Sequence, residues 1–235
     1  MAAPLSSNGL TARPLIEACC DSVSTARAAE QFGAGRIELC GPGDGGTTPS
    51  LGVMARCREE LTVPIHVMIR PHTRDFLYDE DDIDVMANDI IAAKSLAIDG
   101  VVLGPLQANG HIHSQQLAEL VALARPMKVI FHRAFDRVPD QRMALDVLLL
   151  HGVDGILTSG GARTALEGAE ALRRLQQQAG ARLTVMAGGG VRSDTARDLV
   201  AVSRLREIHA RGTDPSIIQD LVASLSHQPD SAHDA

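Results

Sequence analysis

Two short segments near the start of the chain repeat one arrangement, an acid and a thiol two residues apart. Glu17 and Cys19 lie in the run Leu15 to Cys20, and Glu38 and Cys40 lie in Arg36 to Cys40. Residues two apart on an extended strand share a face, so each segment presents a carboxylate and a sulfur together. Thiolates are soft ligands that suit Cu(I). Neighbouring strands stand about 4.8 Å apart, so Cys19 and Cys40 at matching heights can share one ion. Two small, inert, buried hydrophobes are the other reading of such a pair. The chain has no Cys-x-x-Cys motif, so spacing alone does not choose between them. Cys20, one residue along, is expected to face the helices, and Cys57 to sit within one.

Further polar residues interrupt apolar runs. His66, Met68 and Arg70 share one face of the third run, His132 and Arg133 end the fifth, and Glu207, His209 and Arg211 align on the eighth. If these faces point inward, acids and bases converge toward the C-terminal strand ends. Glu17 or Glu38 then serves as general base and His132 as acid or electrophile, Arg70 and Arg133 anchor an anion, and Asp136 completes the candidate catalytic set. The structural alternative is a satisfied network of Glu17, Glu38, Arg70 and His132 plugging the interior.

Glycine-rich turns follow two later runs, Thr158-Ser159-Gly160-Gly161 and Ala187-Gly188-Gly189-Gly190. Amides of Ser159, Gly160, Gly188, Gly189 and Gly190 can cradle an anion such as a phosphate; equally, the glycines can simply let the chain turn. The loop Gly41 to Ser50 is long enough to act as a lid, and Asp75 to Tyr78 can line a rim or form plain surface.

These residues need a scaffold, and the hydrophobic pattern supplies one. Eight strand-like runs recur: Leu15 to Cys20, Arg36 to Cys40, Pro64 to Pro71, Gly100 to Gly104, Lys128 to Phe135, Gly155 to Gly160, Arg182 to Gly190 and Glu207 to Gly212. Helical segments lie between them, with Ser50, Ser114, Ser193 and Asp214-Pro215 placed as N-terminal caps. Strands alternating with helices imply a parallel sheet. No Gly-x-Gly-x-x-Gly follows the first run, which favours a closed parallel (β/α)₈ TIM-type barrel over an open doubly wound sheet. The expected organisation is a single barrel over residues 15–226 with loose tails at 1–14 and 227–235.

Composition agrees. With no Trp, one Tyr and four Phe, the core must be aliphatic. The net charge of −7 and the lack of a basic cluster argue against nucleic acid as a partner. No apolar stretch reaches the roughly 20 residues a membrane span requires. Four cysteines in a chain this long do not form a disulfide framework and point to a reducing cytoplasm. The expected partner is a metal or small-molecule ligand.

Taken together, Glu17-Ala-Cys19, Arg36-Ile-Glu-Leu-Cys40, Gly45-Gly-Thr-Thr-Pro-Ser-Leu-Gly52, Ile69-Arg-Pro71, Asp75-Phe76, His132-Arg-Ala-Phe-Asp136, Leu157-Thr-Ser-Gly160 and Met186-Ala-Gly188 resemble the CutC family, described as copper homeostasis proteins. The resemblance implies a cytoplasmic TIM-type barrel, often a homo-oligomer, that handles copper, with Cys19 and Cys40 as the positions for Cu(I). The chain departs from the pattern at the rim. His72-Thr73-Arg74 stands where relatives commonly carry Arg-Gly-Gly, and Ala210-Arg211 where they carry two serines. The alternative function is a TIM-barrel enzyme acting on a small anionic or phosphorylated metabolite.

Overall fold

A computed structural model describes residues 13–41 and 46–226. The expected tails lie outside the described residues, except for positions 13 and 14, and so does the middle of the Gly41 to Ser50 loop. Eight strands alternate with eight helices: β1 (Leu15–Cys20), α1 (Val23–Gln31), β2 (Arg36–Leu39), α2 (Leu51–Glu60), β3 (Ile65–Met68), α3 (Glu80–Ser95), β4 (Gly100–Leu103), α4 (Ser114–Ala124), β5 (Lys128–Phe131), α5 (Gln141–Leu150), β6 (Gly155–Thr158), α6 (Ala169–Ala179), β7 (Thr184–Ala187), α7 (Ala196–Ser203), β8 (Glu207–Arg211) and α8 (Pro215–Ser226). Each strand pairs in parallel with the next, and β8 closes on β1. The barrel is therefore the closed parallel one that the alternation predicts.

Alternation within each strand divides the core in two. Ile16, Ala18, Ile37, Leu39, Val67, Val129 and their equivalents pack outward against the helices. Cys40, Met68, Val102, Ile130, Leu157 and Met186 form a separate cluster in the lumen, with Cys19 packed against it. Any residue two positions from a lumen residue on the same strand shares its inward face. That rule carries Glu17, Glu38, His66, Arg70 and His132 into the interior.

Several strands are shorter than their apolar runs suggest. β5 stops at Phe131 because Arg133–Arg137 coils into a short 3₁₀ helix, started by His132 Nδ1 accepting from the Ala134 N–H at 3.2 Å. Two predicted caps move. His113, not Ser114, caps α4, and α7 begins after Thr195, beyond Ser193. Ser50 caps α2 as expected, accepting from Val53 N–H. No helix among the described residues is long and apolar enough to cross a membrane.

Candidate functional site

The lumen holds charge at two levels. Lower down, toward the N-terminal strand ends, Glu17 stands opposite Arg36 in the β1–β2 register. Arg36 Nε donates to Glu17 Oε2 at 2.5 Å, and a second guanidinium nitrogen reaches Glu207 Oε2 at 2.6 Å. His66 Nδ1 lies 3.4 Å from Glu17 Oε2, outside hydrogen-bond geometry. Burial alone would raise the pKa of this fully buried carboxyl. The His209 and His66 imidazoles and the Arg36 charge overcome that and hold it well below the ordinary carboxylate range.

This corrects two expectations. Glu17 does not lie toward the C-terminal strand ends, because its counter-ion Arg36 is the first residue of β2. The interior ionic network also has other members than those foreseen, since Glu17 is balanced by Arg36 and His209. Such a carboxylate is an orienting charge, well paired and sealed from solvent.

Above it the two sulfurs converge. Cys19 Sγ and Cys40 Sγ are 3.6 Å apart, and Cys40 Sγ is 3.5 Å from Glu38 Oε2. His209 enters from β8, whose register sets it beside Glu17. Its Nδ1 lies 2.8 Å from Glu17 Oε1, and its Nε2 lies 3.7 Å from Glu38 Oε2. One donor atom each from Cys19, Glu38 and His209 fall within 4.8 Å of one another. Cys40 is almost fully buried, whereas Cys19 keeps partial exposure.

The electrostatics divide these groups. The neighbouring Cys40 thiol is the largest influence pulling the Cys19 pKa down; burial opposes it, and the His209 charge assists. Cys40 moves up, first through its bond to Cys19 and then through burial. Burial and the negative charge on Cys19 push Glu38 well above the usual carboxylate range. Burial would lower His209, but Glu38, Cys19 and Glu17 together raise it. Cys20 and Cys57 lie in the strand–helix layer, and burial drives both thiols upward, Cys57 to about 11.

The remaining candidates separate into two further groups. Arg70 and His132 meet at Phe76, whose ring centroid is 4.7 Å from the Arg70 guanidinium carbon and 4.8 Å from the His132 ring. Arg70 also donates to Gly46 O at 3.3 Å, and its backbone N–H donates to Thr48 Oγ1 at 3.0 Å. The described end of the expected lid, residues 46–50, is thus tied to the end of β3.

Arg133 and Asp136 form the third group. Arg133 donates to Asp136 Oδ2 at 2.8 Å and to Ser159 Oγ at 3.2 Å. Asp136 Oδ1 accepts from the N–H groups of Ser159 at 3.0 Å and Gly161 at 3.2 Å, and from the Thr158 hydroxyl. Gly160 N–H is taken by Thr158 Oγ1 at 2.9 Å. The turn after β6 therefore cradles an anion, as its glycines suggest, but the anion is the chain's own Asp136. Gly188 N–H is spent on Thr158 O, while Gly189 and Gly190 sit at positive φ with the Arg133 guanidinium against Gly189. The six residues expected to act as one acid/base set are held by three different sets of partners.

His209, Arg36 and His66 belong to the interior cluster; the sequence placed the two histidines on converging strand faces without a role and gave Arg36 none. Their alternation with apolar neighbours was a usable signal for the two histidines. Pairing His209 with Glu17 required knowing that the last strand closes on the first.

The CutC family model matches residues 14–213. The CutC family protein of Chromobacterium violaceum is 46% identical over 197 residues, covering 83% of this chain and 80% of that protein. The human copper homeostasis protein cutC homolog is 46% identical over 202 residues, covering 85% of this chain and 74% of the relative. A crystal structure of CutC from Streptococcus agalactiae superposes with a TM-score of 0.80 at 30% identity, covering 83% of this chain and 97% of that one.

Proposed function

The chain belongs to the CutC family, and from that membership and the paired sulfurs we propose that it binds Cu(I) through Cys19 and Cys40 in a role in copper homeostasis. The observation that carries this reading is the 3.6 Å separation of two sulfurs packed against the buried apolar side chains of the lumen, one of them reachable from solvent. Sulfurs about 2.3 Å from one ion and 3.6 Å apart subtend roughly 100° at it, so the pair suits a bent site with a third donor. His209 and Glu38 each bring a donor atom within 4.8 Å of Cys19, and of the two the imidazole Nε2 is the softer ligand and the third donor of the proposed site.

Glu17 supports that assignment. Its carboxylate faces His209 Nδ1, leaving Nε2 for the ion, which is how a second carboxylate commonly orients a metal-bound imidazole. Soft thiolates with an imidazole fit Cu(I) chemically. Loading requires deprotonated sulfurs and a neutral imidazole, so binding releases protons. Glu38 closes the cluster beside Cys40, its Oε1 buried and without a hydrogen-bond partner. Four cysteines outside any disulfide accord with a reducing cytoplasm.

Anaerobic competition titration of the reduced protein against a chromophoric Cu(I) chelator tests the reading. Tight binding is expected, with loss in Cys19→Ser/Cys40→Ser. Unchanged affinity in that double variant would remove both sulfurs as ligands.

A further inference from the structure

His132 closes the lumen at the C-terminal end of β5 with an imidazole that is 4% exposed. Its inward direction follows from alternation with Ile130 of the lumen cluster and Phe131 of the outer layer. Gly104, directly after the neighbouring strand β4, makes room for the ring, since a Cβ there would lie 2.4 Å from its Cε1 and Nδ1. Nδ1 accepts from Ala134 N–H, so the neutral ring carries its proton on Nε2. That buried N–H has no hydrogen-bond partner. Burial, reinforced by the Arg70 cation, lowers the pKa to about 3, so the donor stays neutral at physiological pH.

A buried donor with nothing to receive its hydrogen costs its full desolvation penalty, so a working state that supplies an acceptor is favoured. The adjacent guanidinium selects a negatively charged acceptor. The Phe76 ring, packed on both groups, selects a flat one. A phosphate dianion would set three oxygens and two charges against an aromatic wall, one imidazole N–H and one guanidinium that already donates to Gly46 O, whereas a carboxylate needs fewer donors and one countercharge. We infer that Arg70 and His132 form a subsite for the carboxylate of a small organic acid, with one oxygen accepting from His132 Nε2–H beneath Phe76. This subsite uses neither sulfur and stands independently of copper binding.

The test uses the full-length reduced protein labelled with ¹⁵N-histidine, followed by long-range ¹H–¹⁵N spectra during titration with pyruvate. Inorganic phosphate and methyl pyruvate, an ester without the charge, serve as comparisons. The His132 signals, assigned by their disappearance in His132→Gln, are expected to show the Nε2–H tautomer and to shift saturably with pyruvate alone. Arg70→Lys should weaken that response by roughly tenfold or more, the loss expected for a charge-assisted contact. Cys19→Ser/Cys40→Ser should leave it intact. Signals indifferent to pyruvate, or moved equally by phosphate or by the ester, would overturn the assignment while leaving the copper reading standing. Because the wild-type spectra decide the matter, a variant that fails to fold does not.

Discussion

Glu17 Oε1 lies 2.8 Å from His209 Nδ1 across the seam where the eighth strand meets the first. The same carboxylate accepts from Arg36 through its other oxygen. One fully buried side chain therefore ties the lower ionic network to the imidazole beside the sulfurs.

Replacing Glu17 by Gln should lower Cu(I) affinity by about 10–100-fold, the usual cost of losing the partner that orients a metal-bound histidine. Glu207→Gln removes a carboxylate that contacts Arg36 and not His209, and should leave affinity nearly unchanged. Competition titration of the two folded variants compares them directly. Equal losses would show that Glu17 acts only through the general stability of the barrel.

Gly104→Ala sets a methyl group against the His132 ring. Overpacking of this kind costs about 1–3 kcal/mol, measured as a shift in the urea midpoint. The ring is the obstacle, so the same substitution in a His132→Ala background should cost much less. An additive double variant would place the clash elsewhere.

The depressed pKa of His132 makes stability depend on pH. Its native value is about 3, against about 6.5 for an unfolded histidine. Between those values the unfolded chain binds a proton that the native chain does not, so this residue's contribution is complete above about pH 6.5 and declines as pH falls toward 3. Over that window wild type should lose stability more steeply than His132→Gln, by about 1.4 kcal/mol per pH unit at most. Parallel stability–pH curves would mean the imidazole titrates normally in the fold.

Asp136→Ala strips the turn after β6 of the acceptor shared by Thr158, Ser159 and Gly161. The expected cost is about 1–3 kcal/mol, together with faster hydrogen exchange at the Ser159 and Gly161 amides. Cu(I) affinity should not move, because none of these groups contacts the sulfur cluster. A change in metal binding would reveal coupling between the two regions.

Much of this was legible in the residues. The inward–outward alternation of Ile16, Glu17, Ala18 and Cys19 needs only the two-residue period of a strand, and the same rule correctly paired Glu38 with Cys40. Depth within the barrel was not legible, because it depends on the stagger between strands. Glu17 was therefore expected near the mouth, though its partner Arg36 opens β2. Asp136 was placed in the candidate catalytic set, as the last residue of the segment His132-Arg-Ala-Phe-Asp136. Only the fold brings Ser159 and Gly161 to its carboxylate, turning a candidate reactant into a brace for the loop.

The β8–β1 closure gives the sulfur cluster an unusual relation to biosynthesis. Both thiols come with the first two strands, whereas the imidazole beside them arrives only with β8. A nascent or truncated chain can thus offer the sulfurs without the third donor. Under the proposed Cu(I) role, full-strength capture then becomes a property of the closed barrel, and metal affinity a gauge of that closure.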